Sequence, residues 1–438
     1  MQFSQHFTYK KIIVTVLPPI IMMLFTSLYS VVDGLFLSNY AGKSAFSAVG
    51  FITPYLMMFN SVGFMFGTGG SALIAKMLGE KKDANKVFST LVYASILIGI
   101  SLSIIAQVCL QPVAILQGAE GELLNNSLIY GRIYLLGTAA CIVQFEFQAL
   151  YQTAGKGKLG LLSAVISGFT NIVLDYVFLA IFSFGIIGAA IATICSQLIG
   201  GAIPLLYFGR KNPSLLRLVK TEFQSRALLK ICTNGSSEMV NNISISVVSF
   251  FYNVQLLSYG GTNSIAAYGI MNYVNFLFTA VFCGYISGIA PIISFHYGAN
   301  NRIELKNLLK KSIVLILCCC MLMFVGSQLL ARGIVTSYAA DDLEFIEFAI
   351  HGFRFFAITF LFAGLSIFFS SFFTALNNGL ISAILSLCRV FVFQIPAVLM
   401  LPYVWKLDGI WLSVSMAECM TVILGIVFVI KYRKRYYA

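Results

Sequence analysis

Residues 159–184 read LGLLSAVISGFTNIVLDYVFLAIFSF, a stretch without a basic residue whose one acid, Asp175, follows Asn171 by four places. At 1.5 Å per residue such a run crosses the hydrocarbon of a bilayer, which needs about 20 apolar positions. An unpaired Asp at the centre of such a helix costs roughly 2.5–3.5 kcal/mol. A carboxyl group kept there therefore marks a cation or proton site, or an interhelical hydrogen bond. Asp33 and Thr193 sit in two further apolar stretches, 11–39 and 187–209.

The same pattern fills the chain. Of 438 residues, 59% are hydrophobic and 10% charged, against about 25% charged in soluble domains. A soluble fold is excluded. Twelve spans follow, near 11–39, 46–76, 87–116, 128–153, 159–184, 187–209, 228–258, 264–297, 307–334, 345–376, 380–404 and 408–430. The first is longer than a signal-peptide core and has no small-residue cleavage site, so it is predicted to stay as a helix.

Charge placement orients the spans. Twenty-two of the 28 Lys and Arg fall on one side: Lys10 and Lys11, the 76–86 and 156–158 clusters, the 210–230 loop, 302–311 and 431–435. Lys43, Arg132, Arg332, Arg354 and Lys406 fall on the other, and Arg389 within a span. The positive-inside rule predicts a multi-pass protein of the cytoplasmic membrane with both termini cytoplasmic. Basic clusters between lipid-embedded spans do not make a nucleic-acid face. Ten Cys without a CxxC pair read as packing residues.

The halves repeat. Gly50, Gly69 and Gly79 precede Gly269, Gly288 and Gly298 by 219 residues, and Ala48 precedes Ala267 by the same offset. Gly131, Thr153, Ala154 and Gly188 recur 221 residues on as Gly352, Thr374, Ala375 and Gly409. Six spans per half make the repeats parallel, as in many secondary transporters. The expected fold is an all-α membrane protein with two six-helix lobes, residues 1–215 (spans 1–6) and 216–438 (spans 7–12). No GxxxxGK[ST] is present to bind ATP.

Counting along the spans places Asp33 about 9 Å, Asp175 about 13 Å and Thr193 about 9 Å below the outer rim. Asn171 shares a helix face with Asp175. Carboxylate, amide and hydroxyl oxygens suit a hard cation, so Asp33, Asn171, Asp175 and Thr193 form a candidate coupling site for H⁺ or Na⁺. Glu238 and Glu418 either face a substrate cavity or pair with a neighbour such as Arg389, and Glu146 receives no role. Tyr29, one turn below Asp33, is a candidate cavity aromatic for organic cations. Pro18 and Pro19 kink span one, either as a hinge or as a static bend.

These residues together resemble the multidrug and toxic compound extrusion (MATE) family over essentially the whole length. The resemblance rests on Leu17-Pro18 with Ser30-Val-Val-Asp33, on Gly67-Thr-Gly-Gly70 leading to Gly79, and on Gln152-Thr-Ala-Gly155. It rests further on Asn171-Ile-Val-Leu-Asp175, Gly185-Ile-Ile-Gly-Ala-Ala-Ile-Ala-Thr193, Gln394-Ile-Pro396 and Asp408-Gly-Ile-Trp411. It implies a V-shaped pair of lobes and antiport of organic cations or drugs against H⁺ or Na⁺; no cofactor is expected, and since each pair of lobes encloses its own cavity, a monomer in membrane lipid is the expected unit. It also implies that Asp33, Asn171, Asp175 and Thr193 make the N-lobe cation site. Two rivals are a lipid-linked precursor flippase of the same superfamily, which wants a cationic cavity, and a polytopic membrane enzyme, which wants clustered His, Asp or Ser.

Overall fold

The computed structural model describes residues 4–338 and 343–436, and among these all regular structure is helical. In chain order the helices are α1 Tyr9–Phe36, α2 Gly42–Gly79, α3 Asn85–Leu116, α4 Gly121–Leu136, α5 Thr138–Thr153, α6 Gly157–Asp175 and α7 Gly185–Gly209. They continue with α8 Ser225–Gly298, α9 Arg302–Tyr338, α10 Leu343–Ala357, α11 Phe360–Ala375, α12 Gly379–Leu387, α13 Ile395–Met400 and α14 Pro402–Tyr436. Three π-helical turns interrupt them at Leu37–Ala41, Tyr176–Ile181 and Cys388–Gln394.

Eleven stretches among the described residues are single apolar runs long enough to cross a membrane. α4 and α5, bent by 63°, make the twelfth. That span was expected to be continuous over 128–153. The bend falls at Gly137, where the amide of Gly137 bonds back to Tyr134 and the Thr138 hydroxyl donates to the Leu135 carbonyl at 2.7 Å. These local bonds satisfy groups that the broken helix ladder leaves open. α8 is two spans, parted at Gly261, whose φ of 64° L side chains avoid.

Two six-helix lobes result. In the first, α2 packs on α5, α1 on α6, α6 on α7 and α4 on α7; in the second, α11 packs on α8, α9, α12 and α14. Their contact runs through α2 and α1 against α8. Four glycines, three of them from the repeat, explain its closeness. A Cβ on Gly69 would stand 2.1 Å from the Ile231 carbonyl oxygen, and one on Gly235 would stand 2.0 Å from that of Met65. One on Gly79 would stand 2.0 Å from the Phe295 oxygen, and one on Gly298 would stand 2.1 Å from that of Lys76. No side chain fits there, so backbone meets backbone, the contact that small residues permit in membranes. By contrast Gly50 and Gly269, towards the other end of the same helices, have nothing within 4 Å. The lobes therefore meet at one face and part towards the other, which is the V.

The closed face carries the segment before α1 and the end of α14. Phe7 is buried and stands edge-on to the His296 ring, while Tyr436 packs on Tyr297 and accepts a hydrogen bond from Asn378 at 2.6 Å. The segment before α1 is stapled across the seam to α9. Glu304 accepts from the Phe7 amide at 2.9 Å and from Asn307 at 2.6 Å, and pairs with His6 at 2.7 Å. Lys311 donates to the Phe7 carbonyl at 2.6 Å. Glu304→Ala removes the acceptor for three donors, and hydrogen bonds to a charged group contribute about 1.5–3 kcal/mol. The expected result is a thermal-unfolding midpoint several degrees lower by tryptophan fluorescence; an unchanged midpoint would contradict this account of the staple.

Pro18 and Pro19 lie within a continuous α1. A Cβ on Gly284 would stand 2.5 Å from the Ile20 Cα, and one on Gly288 would stand 2.9 Å from that of Val16. The proline turn is thus seated against glycines of the opposite lobe.

Candidate functional site

α1 runs away from the closed face and carries Asp33 in its last turn, just before the π turn Leu37–Ala41. α6 ends on Asp175, and its π turn Tyr176–Ile181 begins at the next residue. The two π turns touch. A π turn widens the helix locally and re-aims its side chains, and such turns concentrate at functional sites.

Their acids meet. The carboxyl groups of Asp33 and Asp175 lie within hydrogen-bonding range of one another. Asp175 is fully buried and Asp33 half-buried, and neither Asp175 oxygen receives a hydrogen bond from a donor among the described residues. Two acceptor-only groups face to face repel unless something positive stands between them. A proton shared by the pair, or a hard cation, meets that need.

The other members lie around this pair. Asn171 is buried one turn before Asp175 on the same helix. Thr193, on α7, donates to the Ala189 carbonyl at 2.9 Å, and its hydroxyl also meets the phenol of Tyr130, which lies near both acids. Tyr130 was not singled out from the sequence. It belongs to a buried polar ladder on α4, stacked on Tyr134, whose hydroxyl accepts from Asn60 at 2.8 Å. Tyr29 sits below Asp33, where Gly168 makes room for it: a Cβ there would be 2.6 Å from the Tyr29 ring.

A small cavity opens beneath the site, lined by Thr26, Tyr29, Gln144, Gln148, Tyr151 and Ser163, with a volume of about 20 Å³. That is the room of roughly one water. A drug-sized molecule does not fit in this cavity. A larger groove of about 740 Å³ lies at the closed face beside Lys81, Lys82 and Asn301, and shares no residue with the acid pair.

Glu238 and Glu418 belong to the second lobe and do not join the first site. Glu418, on α14, is buried and accepts from the Arg389 Nε at 2.9 Å. Arg389 stands on the π turn Cys388–Gln394. Glu238, on α8, lies near Arg389, with the Ser371 hydroxyl 3.5 Å away and the Asn241 side chain alongside. Of the two readings open for Glu418, pairing with Arg389 is what the structure contains. Glu146 is fully buried on α5, with the Ser95 hydroxyl as its polar neighbour.

Comparison with known proteins agrees with this architecture. The family profile described as MatE matches twice, at residues 18–177 and 239–400, once in each lobe. The multidrug export protein MepA of Staphylococcus haemolyticus is 25% identical over 436 residues, covering 99% of this chain and 96% of its own length. MepA of Staphylococcus aureus is 21% identical over 422 residues, covering 96% and 93%. Among solved structures, the outward-facing conformation of a multidrug resistance MATE family transporter superposes with a TM-score of 0.92 at 21% identity, covering 99% of this chain and 97% of that one. A transporter of the MOP superfamily from Pyrococcus furiosus superposes with a TM-score of 0.91 at 22% identity, with the same coverage. With the profile matching most of both lobes, this multi-pass chain belongs to the MatE family, and it is a membrane transporter rather than an enzyme.

Proposed function

We propose that the protein is a secondary antiporter that exports organic cations or drugs in exchange for H⁺ or Na⁺ by alternating access. The observation that carries this reading is the Asp33–Asp175 pair, whose facing acceptors find no donor at Asp175 among the described residues. In the state open away from the chain ends, the coupling ion enters the first lobe and is held by Asp33 and Asp175, with Asn171 and Thr193 supplying further oxygens. Neutralising the pair alters how α1 packs on α6, with Pro18 and Pro19 as the hinge, and lowers affinity for the bound cation. The ion can drive the cycle only through its different affinity for the two states.

In this reading the chain works as a monomer in the plasma membrane, its termini cytoplasmic, with the lobes divided at 215/216. Substrate occupies the cleft, where Glu238 favours positive charge, while Tyr29 lines the small first-lobe cavity beneath the acid pair. The flippase alternative needs a cationic cavity, and Arg389 is neutralised by its pairing with Glu418.

The test is dye transport in proteoliposomes, with proton and sodium gradients imposed separately. Accumulation driven by one of them supports antiport; accumulation under neither sinks it. A smaller effect is expected at Tyr130→Phe, which removes the hydroxyl that meets Thr193. The ion concentration for half-maximal transport should rise roughly three- to tenfold, about what one hydrogen bond supplies, with the maximal rate little changed.

A further inference from the structure

The first lobe presents two facing acids, whereas the second carries its own cation. Glu238, Arg389 and Glu418 come from α8, the π turn Cys388–Gln394 and α14 and gather in the interior of the second lobe. Arg389 is half-buried in an otherwise apolar span and donates to Glu418. Glu418 is 3% exposed, and its second carboxyl oxygen is buried with no hydrogen-bond donor among the described residues. Glu238 lies one helical turn beyond Gly235, whose backbone abuts that of Met65 on α2. Glu238 thus stands beside the seam between the lobes, half-buried.

A guanidinium stays charged under all ordinary conditions. Two carboxylates and one guanidinium leave a single surplus negative charge. Arg389 cancels Glu418, and the surplus sits on Glu238 at the cleft.

We propose that Arg389 sets the charge selectivity of the transporter: by cancelling one of two acids, it matches the cleft to substrates bearing one positive charge and disfavours those bearing two. This rests on the exporter reading above, but it concerns binding alone and not ion coupling. An organic monocation finds one counter-charge at Glu238. A dication brings a second charge that Arg389 repels, and in a site shielded from water such a term is large.

The experiment uses the full-length purified protein and two dyes with one ring system, ethidium as the monocation and propidium as the dication, with affinities read by fluorescence. Wild type should bind ethidium more tightly. In Arg389→Gln the surplus becomes two, and the affinity ratio should shift roughly ten- to a hundredfold toward propidium. In the double variant Arg389→Gln/Glu418→Gln the surplus returns to one, and the ratio should return to that of wild type. A ratio within twofold of wild type in Arg389→Gln, or a shift that persists in the double variant, overturns the assignment. Should Arg389→Gln fail to fold, Glu418→Gln decides: its net charge of zero should weaken ethidium at least tenfold, and unchanged affinity counts against the proposal. Wild type binding neither dye would instead count against the exporter reading, and this inference with it.

Discussion

Asp33→Asn and Asp175→Asn are each expected to lower gradient-driven dye accumulation at least tenfold in proteoliposomes while leaving the protein folded and able to bind dye. An amide has nearly the shape of a carboxyl, but it neither takes up a proton nor holds a cation by charge. Gradient energy enters the cycle only through the difference in ion affinity between the two states, so removing the binding group removes the drive. The second half of the expectation separates coupling from architecture. If the acids served only to bind helices together, each substitution would lower the melting midpoint. Here one of two mutually repelling acceptors becomes an amide that can donate to the other, so the midpoint should stay level or rise. A fall in both transport and midpoint would support the structural role, and undiminished ion-driven transport in either variant would remove the pair from the mechanism.

Much of this site was legible in the sequence because the bilayer is an unforgiving solvent. Asp33, Asn171, Asp175 and Thr193 stood out as polar groups in apolar runs, and residue counts placed Asp33, Asp175 and Thr193 in the outer half of the bilayer. The structure brings Asp33 and Asp175 within hydrogen-bonding range of one another. Tyr130 did not stand out, because a tyrosine in a membrane helix is ordinary until its neighbours are known. Its signal was the spacing to Tyr134, a one-turn repeat on α4 facing the Asn60 amide. The π turns after Asp33 and Asp175 leave no trace in composition, since they arise from packing rather than from any residue type. The break at Gly137 was hidden for a related reason. An apolar run says how far a chain can reach across a membrane, and not whether it goes straight. Glu418 shows the opposite case: Arg389 was visible as its partner, and only the coordinates decide between pairing and a free face.

The repeated glycines mark a duplication, and their placement points to what the duplication is for. Gly50 and Gly79 are 29 residues apart on α2, eight helical turns and about 20°, so they lie on one face; Gly269 and Gly298 stand in the same relation on the second half of α8. At one end this face is closed backbone to backbone, with a Cβ on Gly79 only 2.0 Å from the Phe295 oxygen, while at the other Gly50 and Gly269 look into open space. Alternating access requires that the closed and open ends exchange. Gly79→Leu should therefore prevent closure at the chain-terminal face, because the obstructing atom is backbone and cannot turn aside, and transport should fall more than tenfold. Gly50→Leu fits the present state without a clash and should block only the opposite one, giving a comparable loss of transport with an unchanged melting midpoint. The paired variant Gly50→Cys/Gly269→Cys, in a background lacking the native cysteines, reads the exchange directly. Its cross-link should be absent in the present state and form in the opposite one, at a rate that follows the imposed ion gradient. A cross-link that never forms under any gradient would mean that these faces do not close on one another, and the glycine seam would then be a fixed weld rather than one half of a gate.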